Sequence, residues 1–222
     1  SGSKLACSYR KWHRGKKAGD FNAGRRIFAK ACEAGDAAGC LAASWAHGQK
    51  VPTGLPKNNV GVDPKAAVRF AKRGCDLGSQ RSCIEWGRYF QFGVGVTKDG
   101  ARSTALYRTA CEAGQIYGCS RLGYNYVNGA GVPKDLVKAN ALYKRACDVA
   151  GIGGCAFLGY NYEKGIGVPK DARKASALYK KACDGGNMLG CSNLGNSYVN
   201  GRGVPKDPRK ANALYKRACD GG

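Results

Sequence analysis

The chain has 222 residues, and its 37 Lys and Arg outnumber its 15 Asp and Glu to give a formal net charge of +22. The length is sufficient for a buried core, and the sequence shows no apolar run near the roughly 20 residues of a transmembrane helix. The charge attracts anions over long range, and salt weakens that attraction.

The N-terminal segment, residues 1–19, is predicted to form a shortened or irregular helix. Its basic patch consists of Arg10, Lys11, Trp12, Arg14, Lys16 and Lys17. Mixed cations and aromatic rings can bind nucleic acid, and the alternative is a solvated basic end. Ser8 opens an S-x-x-K match, the nucleophile motif of penicillin-recognising enzymes, but neither K-T-G nor S-D-N accompanies it.

Residues 20–74 are predicted to be divergent repeats of a pattern that becomes regular later. Seven more residues than usual separate Cys40 from the next helix start at Asp63, which predicts a loop insertion at about 48–62.

Residues 75–218 repeat with a period of 36 residues, which is typical of stacked repeat proteins. Each unit contains two predicted helices. An Asp, a favourable N-cap, precedes the second helix; these residues are Asp20, Asp63, Asp99, Asp135, Asp171 and Asp207. Apolar residues then follow at offsets 4, 7, 8 and 11, on one helical face. Within that face, Tyr107, Tyr143, Tyr179 and Tyr215 are predicted to pack in the core.

The first helix of each unit begins near the second cysteine of a pair and carries a glycine in its middle, as at Gly123, Gly159 and Gly195. Such a glycine costs about 1 kcal/mol relative to Ala, so its recurrence predicts a close approach between two helices. The helix ends at a G-x-G-V turn, where glycine can adopt the left-handed conformation.

The last residues, 219–222, are expected to be the truncated start of a further repeat. We therefore expect a fragment of a longer array whose export signal has also been removed. The whole of residues 1–222 is predicted to form one repeat domain.

Twelve cysteines are present, and ten of them fall into five pairs with C-x7-C spacing. The pairs are Cys32 and Cys40, Cys75 and Cys83, Cys111 and Cys119, Cys147 and Cys155, and Cys183 and Cys191. Zinc sites favour shorter spacing with further Cys or His nearby, so structural disulfides in an oxidising compartment are favoured. Cys7 and Cys219 are predicted to be unpaired, and neither a metal nor a cofactor is expected.

The A-x2-C-x7-C-x2-L-G-x2-Y, G-x-G-V-P-K-D and K-A-x2-L-Y segments resemble Sel1-like repeats, relatives of the tetratricopeptide repeat. The doubled cysteine resembles the cysteine-rich branch typified by the Helicobacter cysteine-rich proteins. This resemblance implies an all-α, right-handed α-solenoid of stacked antiparallel helix pairs, secreted or periplasmic, with one disulfide per repeat. Members of that branch have been described as binding penicillin or weakly hydrolysing β-lactams.

The candidate binding surface is the concave one, which the resemblance assigns to the first helix of each unit. The matching positions lie five and nine residues after the second cysteine: Arg88, Phe92, Tyr124, Asn128, Tyr160, Lys164, Asn196 and Asn200. Tyr and Arg are common interface anchors, and Asn can both donate and accept. The alternative is a solvated helix face.

The sequence favours a non-enzymatic scaffold outside the cytoplasm that binds a protein or peptide, in particular an acidic one, through this face. One alternative is recognition of cell-envelope glycan such as peptidoglycan, or slow β-lactam hydrolysis. Another is charge-driven binding of an anionic polymer. No catalytic set of residues recurs. In an oxidising compartment, envelope polymers or acidic proteins are favoured over nucleic acid as partners.

Overall fold

The computed structural model describes residues 18–48, 63–150 and 153–220, and these ranges contain eleven helices and no β-strand. The helices are α1 (Ala18–Glu33), α2 (Ala37–Gly48), α3 (Pro64–Asp76), α4 (Gln80–Phe92), α5 (Gly100–Glu112), α6 (Ile116–Asn128), α7 (Leu136–Ala150), α8 (Gly153–Lys164), α9 (Ala172–Asp184), α10 (Met188–Asn200) and α11 (Pro208–Asp220).

The helices belong to two compact units, Ser1–Ala113 and Gly114–Gly222. In the first unit, α1 to α4 each pack against the next helix along the chain, and in the second unit α6 to α10 do the same. Such nearest-neighbour packing is the defining property of repeat folds. The predicted all-α class of stacked helix pairs is confirmed.

The predicted aspartate caps are confirmed at five of six positions. Side chains of Asp63, Asp99, Asp135, Asp171 and Asp207 each accept a hydrogen bond of 2.9 Å from the backbone N–H three residues ahead. These bonds satisfy a donor that the first helical turn leaves unpaired. The prediction is wrong for Asp20, which lies inside α1 rather than in front of it.

The mid-helix glycines lie where an aromatic ring of the following helix packs against the backbone. A Cβ at Gly159 would be 2.9 Å from two ring carbons of Tyr179, and a Cβ at Gly123 would meet Tyr143 at the same distance. The predicted close approach is therefore confirmed. Tyr107, Tyr143 and Tyr179 are buried as predicted, whereas Tyr215 on the last described helix is only half-buried.

The G-x-G-V turns reverse the chain between the two helices of a repeat. Gly165 ends α8 with φ +75°, the left-handed conformation expected of a helix stop. Gly203, the second glycine of a later turn, has φ +72°, and a Cβ there would overlap the carbonyl of Ala172. The turn of one repeat thus lies directly on the start of α9, in the preceding repeat.

Within each unit, disulfides join the end of a second helix to the start of the next first helix. Bonds connect Cys32 with Cys40, Cys75 with Cys83, Cys147 with Cys155 and Cys183 with Cys191, with Cα–Cα distances of 4.4 to 4.6 Å. Cys111 and Cys119 are disulfide-bonded as well. The predicted covalent link in every repeat is confirmed.

Some predictions fall outside the described residues. They concern the basic patch, Ser8, Cys7, the side chain of Cys219 and nearly all of the loop insertion. None of the described helices is long and apolar enough to cross a membrane.

Candidate functional site

The second unit presents a surface formed by its three first helices, α6, α8 and α10, which we call the first-helix face. Helix α8 contacts both α6 and α10. On the inner side of these helices, Leu122, Leu158 and Leu194 are buried against the second helices. Because an α-helix repeats every 3.6 residues, side chains five and nine positions after the cysteine lie on the opposite side.

All six predicted binding residues of this unit are exposed on the first-helix face. They are Tyr124, Asn128, Tyr160, Lys164, Asn196 and Asn200. Tyr124 and Tyr160 are 38% and 46% exposed, and both are among the large apolar side chains that the fold leaves in contact with solvent. The face therefore carries exposed aromatic surface that the fold itself does not cover.

An apolar groove of about 350 Å³ crosses the first-helix face. Its lining consists of Tyr124, Val127, Asn128, Tyr143, Phe157, Tyr160, Asn161, Ile166, Leu189 and Asn193. Most of these side chains are aromatic or aliphatic, and Leu189 is 49% exposed. Apolar grooves with a few polar groups are typical of ligand sites.

Tyr143 forms the base of the apolar groove, because it belongs to the second helix α7, which packs against the inner side of α6. Its ring stacks on Phe157 with a centroid separation of 5.2 Å. The absence of a side chain at Gly123 lets this ring lie against α6. Burial, together with the nearby Tyr124, raises the pKa of the Tyr143 hydroxyl, so this group stays neutral in the physiological range.

A polar groove of about 320 Å³ adjoins the apolar groove and shares Tyr160 and Asn193 with it. Its other lining residues are Glu163, Lys164, Asn196, Ser197, Asn200 and Arg202. The Lys164 ammonium lies 5.6 Å from the centroid of the Tyr160 ring, within the range of a cation–π contact. Polar and cationic groups therefore stand beside the aromatic surface.

Glu163 organises the polar groove by accepting hydrogen bonds from several donors. Tyr179 donates to Oε2 at 2.9 Å, and Lys164 donates to Oε1 at 3.0 Å. Arg202 lies 3.5 Å from the same Oε1. Burial alone would raise the pKa of Glu163, but these hydrogen bonds and positive charges outweigh it and lower the pKa. Glu163 is therefore an anion that orients two cations at the groove.

The two predicted binding residues of the first unit, Arg88 and Phe92, lie on α4. Phe92 is exposed, while Arg88 pairs with Glu85 at 2.9 Å and lies over the ring of Tyr89 at 5.1 Å. The guanidinium is thus held by its own helix.

Seven lining residues of the apolar groove were not predicted as binding residues: Val127, Tyr143, Phe157, Asn161, Ile166, Leu189 and Asn193. Phe157 and Asn193 stand two positions after the second cysteine, one helical turn before the predicted positions. The i, i+3 spacing of a helix could have indicated both. Tyr143 was assigned to the core, and nothing in its spacing distinguishes it from Tyr179.

The sequence matches the profile of the Sel1 repeat at residues 4–36, 53–79, 80–115, 116–149, 153–187 and 189–222. These six matches cover most of the chain. The chain belongs to the Sel1 repeat family.

The chain is similar to one protein by sequence and to two solved structures. Over 86 residues the chain is 31% identical to cytochrome c oxidase assembly factor 7 of Xenopus tropicalis, a match to 39% of this chain and 35% of that protein. The chain thus spans about a third of that relative's length. A Sel1 repeat protein from Oxalobacter formigenes superposes with a TM-score of 0.76 and 26% identity over 100% of this chain and 85% of its own. Helicobacter pylori cysteine rich protein B shows 25% identity over 65% of this chain and 98% of its own, with a TM-score of 0.48.

Sel1 repeats generally serve as scaffolds for protein interactions. The disulfides of this Sel1 chain indicate an oxidising compartment. Among the described residues, no cluster of three or more Cys, His, Asp or Glu side chains could hold a metal ion.

Proposed function

We propose that this chain is a disulfide-stapled scaffold that acts outside the cytoplasm, secreted or periplasmic, and binds an extended, acidic segment of a partner protein. The segment lies along the first-helix face, with a large apolar side chain in the apolar groove and acidic residues beside the polar groove.

The observation that carries this proposal is the adjacency of the two grooves around Tyr160. One groove is lined mainly by aromatic and aliphatic side chains and the other by amides, Lys164 and Arg202. An extended peptide alternates its side chains along its length, so it can fill an apolar site and present a polar group nearby. Rigid disulfide-linked helices reduce the ordering cost of binding.

Charge complementarity supports an acidic segment. The three 36-residue units that begin at Cys111, Cys147 and Cys183 carry net charges of +3, +3 and +4. Glu163 neutralises only part of the charge of Lys164 and Arg202, because one carboxylate faces two cations. A carboxylate of the partner would add a second anion to this cluster. Positively charged groups on a partner would be repelled by it.

Selection of random peptides displayed on phage tests the proposal, with the oxidised protein immobilised at about 150 mM salt. We expect enriched peptides to combine Asp or Glu with an aromatic or aliphatic residue. Tyr160→Ala should weaken the binding of a selected synthetic peptide by at least tenfold, because truncating an aromatic anchor costs roughly 2 kcal/mol of binding free energy. Tyr117→Ala is the matched control, since Tyr117 is equally exposed on α6 but lines neither groove.

Other outcomes would contradict the proposal and favour an alternative. Equal loss in both variants would show that the grooves do not bind the segment. Affinity that collapses between about 50 and 200 mM salt would indicate charge-driven binding of anionic polymer. Binding to peptidoglycan but to no peptide would indicate a glycan ligand, and turnover of a chromogenic β-lactam that Ser8→Ala abolishes would indicate an enzyme.

A further inference from the structure

The core tyrosines of the second helices differ in how their hydroxyl groups are satisfied. Tyr179 donates to Glu163 at 2.9 Å, and in the first unit Tyr107 donates to Gln91 at 3.0 Å. In both repeats the acceptor stands eight residues after the second cysteine, on the first helix. In the repeat of Tyr143, that position is occupied by Val127, which offers no acceptor.

Tyr143 therefore has no hydrogen-bond partner among the residues that the structure describes. Its side chain is only 2% exposed, and it lines the apolar groove. The fully buried side-chain polar atoms without a partner in the described residues belong to His47 and Gln80, so the Tyr143 hydroxyl is reached from the groove and is not sealed in the core. Tyr143 thus presents a hydroxyl without a protein partner at the base of a mainly apolar groove, where a bound ligand can form a hydrogen bond with it.

The walls of the groove favour a planar ring. The rings of Tyr124, Phe157 and Tyr160 line it, and aromatic pairs gain from offset or edge-to-face contacts beyond the area they bury. An aliphatic side chain would fill the same space without these contacts. An unsubstituted phenyl ring would fill it too, but it would leave the Tyr143 hydroxyl unpaired.

The charge state of the site favours a neutral polar group on that ring. A carboxylate in the apolar groove would lose its hydration, which is costly without a cation as partner, and neither Lys nor Arg lines this groove. A phenol hydroxyl is neutral and both donates and accepts. It can therefore pair with the neutral Tyr143 hydroxyl whichever of the two groups donates.

We infer that the apolar groove is a pocket for a phenol ring, occupied by a tyrosine side chain of the bound segment, and that the Tyr143 hydroxyl selects tyrosine over phenylalanine there. This inference rests on the proposed function for the identity of the ligand as a peptide. The pocket itself can be tested without any peptide.

Two small probes that differ by one hydroxyl provide the test, N-acetyltyrosinamide and N-acetylphenylalaninamide. Their binding is measured by NMR titration of the labelled protein, with resonances of Phe157 and Tyr160 as reporters. We expect the wild-type protein to bind the tyrosine probe about three- to tenfold more tightly, the range of a net neutral hydrogen bond. Tyr143→Phe keeps the ring and should abolish this preference, whereas Tyr117→Phe, outside the groove, should preserve it.

Three outcomes would overturn the inference. Equal affinity of both probes for the wild-type protein would show that no hydroxyl is selected. A preference for the tyrosine probe that persists in Tyr143→Phe would assign the selection to another group. If neither the Phe157 nor the Tyr160 resonances shift up to the solubility limit of the probe, the groove does not bind a phenol. A preference for the tyrosine probe without any selected acidic peptide would support the pocket but refute the proposed function. Selection of acidic peptides without a preference for the tyrosine probe would refute the pocket alone.

Discussion

The hydroxyl of Tyr179 lies 2.9 Å from Oε2 of Glu163, so a side chain of the second helix reaches through the core to the first-helix face. Because Glu163 also faces Lys164 and Arg202, this bond connects the packed interior with the charged side of the polar groove. Core packing and groove electrostatics therefore depend on the same carboxylate.

Glu163→Gln should reduce the sensitivity of the protein to acid. Hydrogen bonds and neighbouring cations lower the pKa of Glu163 in the folded state, despite the opposing effect of burial. A lowered folded pKa contributes stability above the unfolded pKa of about 4.3, and this stability is lost as pH falls through the folded pKa. Glutamine retains an acceptor for Tyr179 but does not titrate. The free energy of unfolding, measured by urea denaturation from neutral pH to about pH 3, should therefore fall less steeply in the variant. Parallel curves would contradict this assignment.

Gly159→Ala should destabilise the protein although alanine is the better helix former. A Cβ at this position would lie 2.9 Å from Tyr179 ring carbons and 3.2 Å from the carbonyl oxygen of Ala175. Overpacking of this kind costs about 1 to 3 kcal/mol, more than the helix-propensity gain of about 1 kcal/mol. Gly153→Ala on the same helix is the matched control, because its nearest neighbour would be 3.8 Å away. Thermal unfolding should show a lower Tm only for Gly159→Ala; equal Tm values would refute the packing argument.

Removing one disulfide should lower stability without changing the helical content. Cys147 and Cys155 are separated by eight positions and therefore close a loop of nine residues. In the chain-entropy model, such a bridge contributes roughly 2.5 kcal/mol. Replacing both cysteines by alanine should lower the free energy of unfolding by about this amount, while the far-ultraviolet circular dichroism spectrum stays unchanged. The same double replacement at Cys183 and Cys191 provides a second measurement at equal loop length.

The fold was predictable from the sequence because its signals are local and repeated. The Asp caps, the G-x-G-V turns and the C-x7-C pairs each fix one feature within a few residues, and the 36-residue period places them in register. The exception at Asp20 falls where the repeat pattern is divergent. In that repeat the helix begins before Asp20, so this residue lies inside the helix, whereas the equivalent Asp residues of later repeats cap their helices.

The site was predictable only in part, because the apolar groove requires residues from four helices in three consecutive repeats. Tyr124 and Tyr160 follow from one offset rule within the repeat. Leu189 precedes its cysteine and enters the apolar groove from α10, so no rule confined to one helix identifies it. The Tyr143 hydroxyl lacks a partner because Val127, 16 positions away, offers no acceptor. Nothing in the sequence around Val127 indicates this consequence.

Replacing Val127 by glutamine should give Tyr143 the internal acceptor that Gln91 provides for Tyr107. The effect is best measured as a double-mutant cycle with Tyr143→Phe, because the lost apolar surface of valine cancels between the two backgrounds. We expect a favourable coupling of about 1 kcal/mol in urea unfolding, the net contribution of a typical hydrogen bond. A coupling near zero would show that the Tyr143 hydroxyl is already satisfied or out of reach. In that case the polar group at the base of the apolar groove would not be available to a ligand either.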